Sequence, residues 1–189
     1  MSGRLIDVQQ ASLLVVDVQE KLIGAMHDAE RLAHRIEWLV AVAARLDLPV
    51  VFSEQYPKGL GPTLPRLRAA CLAAPVVEKL HFSCVPADCL PPELMRRSQV
   101  IICGIETHVC VLQTAIDLAD AGKDVFVVVD ATSSRSPESH AAALQRMSAA
   151  GIHLVTREMV VFESLRTAAH EQFRAISKTF LTGSAGQGS

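Results

Sequence analysis

Three residues in this chain have side chains that could act together on a carbonyl carbon: Asp17, Lys79 and Cys110. A cysteine thiolate is a nucleophile. A nearby carboxylate can take the thiol proton, then pass it to a leaving amine or use the same basicity to deprotonate water. An ammonium group holds the carboxylate and favours the thiolate by its charge, and main-chain amides can stabilise a tetrahedral oxyanion. Each residue also has an ordinary reading. Asp17 alone suits a carboxylate capping a turn, Lys79 alone suits an exposed lysine, and Cys110 alone suits a small buried side chain.

Their places in the chain favour the chemical reading. Short apolar runs alternate with helix-patterned segments. Strands are expected at Ser12–Val16, Pro49–Phe52, Pro75–Glu78, Gln99–Cys103, Asp124–Val129 and Ile152–Val155. Helices are expected at Glu30–Leu46, Leu64–Leu72, Thr107–Ala121 and Pro137–Ala150, with further helical pattern to about Leu181. Ser53–Pro65 reads as a Pro/Gly-rich loop, and Pro86–Pro92 reads as irregular. Continuously apolar strands separated by helices imply a parallel sheet covered on both faces, and such sheets bind ligands at the carboxyl ends of their strands. Asp17, Lys79, Asp130 and the Gly104–Cys110 loop all follow such ends. Thr107 is the expected N-cap of its helix, which puts Cys110 in the first turn, where the helix dipole should ease its ionisation.

Composition narrows the possibilities. The 189 residues suit one domain, taken as 1–181, followed by a Gly/Ser tail at 182–189. Half the residues are hydrophobic and the net charge is −2, with no basic block, so a nucleic-acid partner is not expected. No apolar run is long enough to span a bilayer, so no membrane association is expected, and Met1–Asp7 lacks the apolar core of a secretory signal. Five cysteines with no Cys-x-x-Cys pair fit free thiols in a reducing cytoplasm.

Three segments together resemble the isochorismatase-like (cysteine hydrolase) superfamily: Leu14–Gln19, Glu78–Lys79, and Gly104–Ala115. The similarity runs from about Ser12 to Val161. It implies a catalytic triad of Asp17, Lys79 and Cys110, oxyanion donors at the amides of Glu106 and Cys110, and a cis peptide bond at Ile105–Glu106. It also implies a three-layer α/β/α fold with a six-stranded parallel sheet, and a homo-oligomer. Gln19, Tyr56, Ile105 and His108 are the candidate pocket residues. Tyr56 can equally be a packing residue, and His108 can equally face solvent or a neighbouring subunit. Asp130, with Thr132, Ser133 and Ser134, is read as a structural cap.

Departures from the family pattern bear on the subfamily. Nicotinamidases of this superfamily carry Asp-x-His after the second strand, where this chain has Ser53-Glu54-Gln55-Tyr56. Glu54 lacks a histidine at that spacing, and His81 reads as an ordinary polar residue, so neither a metal nor another cofactor is expected. Vinyl-ether cleavage of the isochorismatase type has no inherent need of a thiol, so Cys110 points to a small amide or related carbonyl substrate. The segment Ser53–Gly61 is similar to that of isochorismatase domain-containing proteins, hydrolases of unassigned substrate. A vinyl-ether hydrolase, and a non-catalytic scaffold or redox-thiol protein, are the alternatives.

Overall fold

A computed structural model describes residues 4–181, so the tail expected at 182–189 lies outside the described residues. In chain order the elements are β1 (Ala11–Val16), α1 (Glu20–Ile23), α2 (Ala29–Arg45), β2 (Val50–Gln55), α3 (Pro57–Leu60), α4 (Pro65–Ala70) and β3 (Val76–Lys79). The second half adds α5 (Pro92–Arg96), β4 (Gln99–Ile105), a π-helical turn (Thr107–Val111), α6 (Leu112–Asp120) and β5 (Asp124–Ser133). It continues with α7 (Pro137–Ala149), β6 (His153–Val155), α8 (Arg157–Leu165), α9 (Phe173–Ile176) and a second π-helical turn (Ser177–Leu181).

All six strands are parallel, in the order β3-β2-β1-β4-β5-β6. The expected α/β class with a six-stranded parallel sheet is what the chain forms. Side chains of successive strand residues leave opposite faces, so β1 sends Leu13 and Val15 into one core and Leu14 and Val16 into the other. The first core is closed by Leu32, Ile36, Leu39 and Val40 of α2, along with Leu67 and Val160. The second is closed by Leu112, Ala115 and Leu118 of α6 and by Ala143 and Met147 of α7. Apolar residues at helical spacing on α2 therefore do the same work as alternation on the strands. Truncating one of them, Ile36→Ala for instance, should cost about 2–5 kcal/mol.

The chain winds outward from β1 through β2 to β3, then returns to place β4 on the other side of β1 and winds outward again through β5 and β6. The β1–β4 pair is therefore the switch point of the sheet, the crevice where such folds bind ligands. Gly104 permits this pairing to be close. Its φ is +114°, and a Cβ there would lie 2.2 Å from the carbonyl oxygen of Val16. Only glycine suits such a position.

Boundaries moved where tertiary pairing extended an element. The second strand runs to Gln55, because Phe52–Gln55 pair with Val76–Lys79, so three residues expected in a loop lie in the sheet. The fifth strand runs on to Ser133, resuming its pairing with β4 at Gly104 and Ile105 after a shift in register. Within the stretch expected to be a loop, Pro57 begins the short helix α3, with proline at the helical start where its missing N–H costs nothing.

Candidate active site

The two strands at the switch point deliver Asp17 and the loop that leads to Cys110. Val16 pairs with Ser53 on one side and Gly104 on the other, and Asp17 follows with φ +53°, a left-handed conformation that aspartate tolerates better than most residues. Its amide donates to the Ser53 carbonyl at 3.0 Å. Lys79, at the end of β3, reaches across β2 to the same carboxylate. Lys79 Nζ donates to Asp17 Oδ2 at 2.7 Å, with both side chains wholly buried.

Two residues that sequence reasoning passed over complete this pair. Ser53 Oγ donates to Asp17 Oδ1 at 2.7 Å, and Lys79 Nζ donates to Gln55 Oε1 at 2.8 Å. Both carboxylate oxygens of Asp17 are thus satisfied, as a buried charge requires. The signal that could have found them is three consecutive polar residues, Ser53-Glu54-Gln55, closing a strand that begins apolar, with Ser53 and Gln55 on the same face.

Cys110 sits in the π-helical turn with 6% of its surface exposed. Its thiol lies near enough to Asp17 and Lys79 for the charge of each to act on it. Here one expectation is reversed. Burial and then the Asp17 charge push the thiol up to about 12, against the opposing pull of Lys79. At rest Cys110 is a neutral thiol, because desolvation and the Asp17 charge outweigh the helix end and the ammonium. Lys79 is drawn down by burial, but the charge of Asp17 and the hydrogen bond to it more than restore it, so its ammonium is held above the usual lysine range.

The peptide bond Ile105–Glu106 is cis. Glu106, not Thr107, is the N-cap residue, and no side chain caps the turn. The Thr107 hydroxyl is instead hydrogen-bonded to His140 Nδ1 at 2.9 Å, so a tertiary partner replaces the local cap. His140 is held below the usual histidine range by burial and then by the charge of His27. His108 Nδ1 pairs with Ser134 Oγ at 2.9 Å.

The remaining candidates fall in different places. Gln19 is buried, donating from Nε2 to the carbonyls of Gln55 and Gly61 and accepting from the Gln55 amide, so it ties the loop after β2 to β1. Ile105 is fully buried in the core. Tyr56 is half exposed and lines, with Lys79, Leu80 and His81, a cavity of about 440 Å³. Glu54 accepts from the amide and hydroxyl of Thr63 at 2.7 and 2.8 Å. Among the described residues, no three His, Cys, Asp or Glu side chains gather where they could hold a metal ion. Asp130 accepts from the amide and Nε of Arg157 at 2.9 Å, anchoring the start of α8 as a structural cap.

Fold and site define a class: a hydrolase-like, all-parallel α/β protein whose switch point brings a carboxylate and an ammonium to a buried thiol. The chain belongs to the isochorismatase family, since residues 11–159 match the isochorismatase domain. It is 42% identical over 179 residues to mouse isochorismatase domain-containing protein 2A, covering 93% of this chain and 84% of that one. The MAR1 ribonuclease of Caenorhabditis elegans superposes with a TM-score of 0.88 at 35% identity, covering 98% of both chains. The YcaC gene product of Escherichia coli, described as an octameric hydrolase of unknown specificity, superposes at 0.82 with 25% identity, covering 97% of this chain and 100% of that one. No helix among the described residues is long and apolar enough to cross a membrane.

Proposed function

We propose that this protein is a cysteine-dependent hydrolase of a small amide or related carbonyl compound, acting through a thioester on Cys110. The observation that carries this reading is the buried Asp17–Lys79 pair bearing on the Cys110 thiol. Because the thiol is neutral at rest, attack and deprotonation are coupled. The sulfur bonds to the carbonyl carbon as its proton passes to Asp17, and Lys79 holds the carboxylate in place. The amides of Glu106 and Cys110 receive the oxyanion. Asp17 then protonates the leaving amine as the C–N bond breaks, leaving the thioester. Asp17 next removes a proton from water as its oxygen attacks the thioester carbon, the C–S bond breaks, and Asp17 returns that proton to the departing sulfur, so the acid product leaves with the thiol and the carboxylate restored.

The cavity beside Tyr56 and Lys79 is the entry for substrate in this reading, with Gln19 fixing the loop after β2 that carries Tyr56. No cofactor is needed for this chemistry. The five free cysteines fit a reducing cytoplasm, and the octameric description of the E. coli relative supports a homo-oligomer. The test is a screen of purified protein against a panel of small amides for released ammonia, with intact-mass detection of an acyl adduct on Cys110. RNA belongs in the panel because of the name of the C. elegans relative. RNA cleavage that survives Cys110→Ala, without any acyl adduct, would replace this reading.

A further inference from the structure

Three consecutive residues before the nucleophile are each gripped by one segment at the end of β5 and the start of α7. Arg135 donates from Nε and Nη2 to the two carboxylate oxygens of Glu106 at 3.1 and 3.0 Å. His140 holds Thr107, and Ser134 holds His108, each at 2.9 Å. The strongest of these contacts is the first, since a planar guanidinium meeting a carboxylate through two parallel bonds fixes orientation as well as distance. Its two ends are unequal. The Glu106 side chain is 9% exposed, and that of Arg135 is 68% exposed.

We infer that Arg135 is a positioning residue, which orients the Glu106 main chain, and with it the oxyanion site, through its two-point grip on the Glu106 carboxylate. The inference rests on the cysteine-hydrolase reading above. Two observations separate this role from simple support of the fold. Arg135 is mostly solvated, so its removal takes little packing with it. Nor does it act by tuning the thiol. The main causes of the Cys110 shift are burial, then the charges of Asp17 and Lys79. What remains is geometry: a freed Glu106 carboxylate no longer constrains the residue whose amide must point at the developing negative charge.

Two reagents distinguish this role. p-Nitrophenyl acetate acylates Cys110 through a tetrahedral oxyanion: the sulfur–carbon bond forms, the aryl C–O bond breaks, the thiol proton passes to Asp17 and p-nitrophenolate leaves. Iodoacetamide alkylates the same sulfur by displacement of iodide, with no oxyanion to stabilise. Arg135→Gln should slow acylation roughly tenfold to a hundredfold, the scale of a small misplacement at a reacting centre. It should leave the rate and pH profile of Cys110 alkylation unchanged, with the protein still folded at the assay temperature. Glu106→Gln should reproduce this effect, the double variant should be no slower than either single one, and Arg135→Lys should recover part of the rate with a single-point contact. Equal loss in both reactions, or unchanged acylation in Arg135→Gln and Glu106→Gln alike, overturns the inference while leaving the hydrolase reading standing. Absence of any acetyl adduct on wild-type Cys110 removes the hydrolase reading and this inference with it.

Discussion

Lys79 Nζ lies 2.7 Å from Asp17 Oδ2 although 62 residues and an intervening strand separate them, and neither side chain touches solvent. A charge pair this dry is sensitive to the loss of either member, because the survivor is left buried and unmatched. Lys79→Met should therefore lower stability by about 3–5 kcal/mol in urea denaturation at neutral pH. The folded-state pKa of Lys79 lies above its unfolded value, so the ion pair contributes fully below about pH 10. Its contribution then fades as pH rises through the folded-state value. A wild-type advantage that is absent at neutral pH would show that the pair does not stabilise the fold.

The thiol of Cys110 should alkylate along a pH profile centred near 12, far above that of a free cysteine near ~8.5. Removing each partner shifts the profile in opposite directions. Asp17→Asn lowers it, because a nearby negative charge is gone, and Lys79→Met raises it. Peptide-resolved mass spectrometry after iodoacetamide reads this, and three coincident profiles near the free-thiol value would refute the electrostatic picture.

Acyl transfer should respond differently from alkylation. Asp17→Asn makes the thiol easier to ionise yet removes the proton acceptor, so acyl transfer should slow by roughly 10²–10⁴-fold while alkylation at neutral pH speeds up. Cys110→Ala should abolish the acyl adduct and leave the unfolding midpoint near that of wild type, since alanine is small and favours helix. An adduct persisting in Cys110→Ala would move the nucleophile elsewhere.

Gly104→Ala tests the close approach of β1 and β4. A Cβ 2.2 Å from the Val16 carbonyl, on a residue at φ +114°, combines overpacking with an unfavourable backbone, for a loss of about 2–5 kcal/mol. Gly24→Ala, with nothing within 4 Å of the added Cβ, should be near neutral. Equal melting temperatures for the two variants would contradict the argument.

Glu54 holds the loop after β2 through Thr63. Glu54→Ala leaves the amide and hydroxyl of Thr63 without their acceptor and should cost about 1–3 kcal/mol. Elemental analysis should find the same metal content in wild type and variant. Stoichiometric zinc, iron or manganese lost on mutating Glu54 or His81 would overturn this.

The residues around Thr107 show where sequence reading fell short. Thr107 has the right type and position for an N-cap, and local rules alone would place its hydroxyl on its own helix. His140, from a helix 33 residues away, takes that hydroxyl instead, and the helix opens with a π turn. Likewise, Ser53–Gln55 have the composition of a loop, but a neighbouring edge strand draws them into the sheet. Helix caps and strand ends are marginal in energy, so one tertiary hydrogen bond decides them.

The alternation of apolar strands with helices, the family motifs and the placement of Asp17, Lys79 and Cys110 after strand ends were all legible in the sequence, because periodicity and turn chemistry are local. Strand order was not. Only the folded sheet makes β1 and β4 neighbours, lets Lys79 reach across β2, and supplies Ser53 and Gln55 to the ion pair. The ionisation of Cys110 was also beyond the sequence. A helix start beside a lysine argues for a thiolate, but the thiol is buried next to a carboxylate, and desolvation is a property of the whole packed site that no run of neighbouring residues encodes.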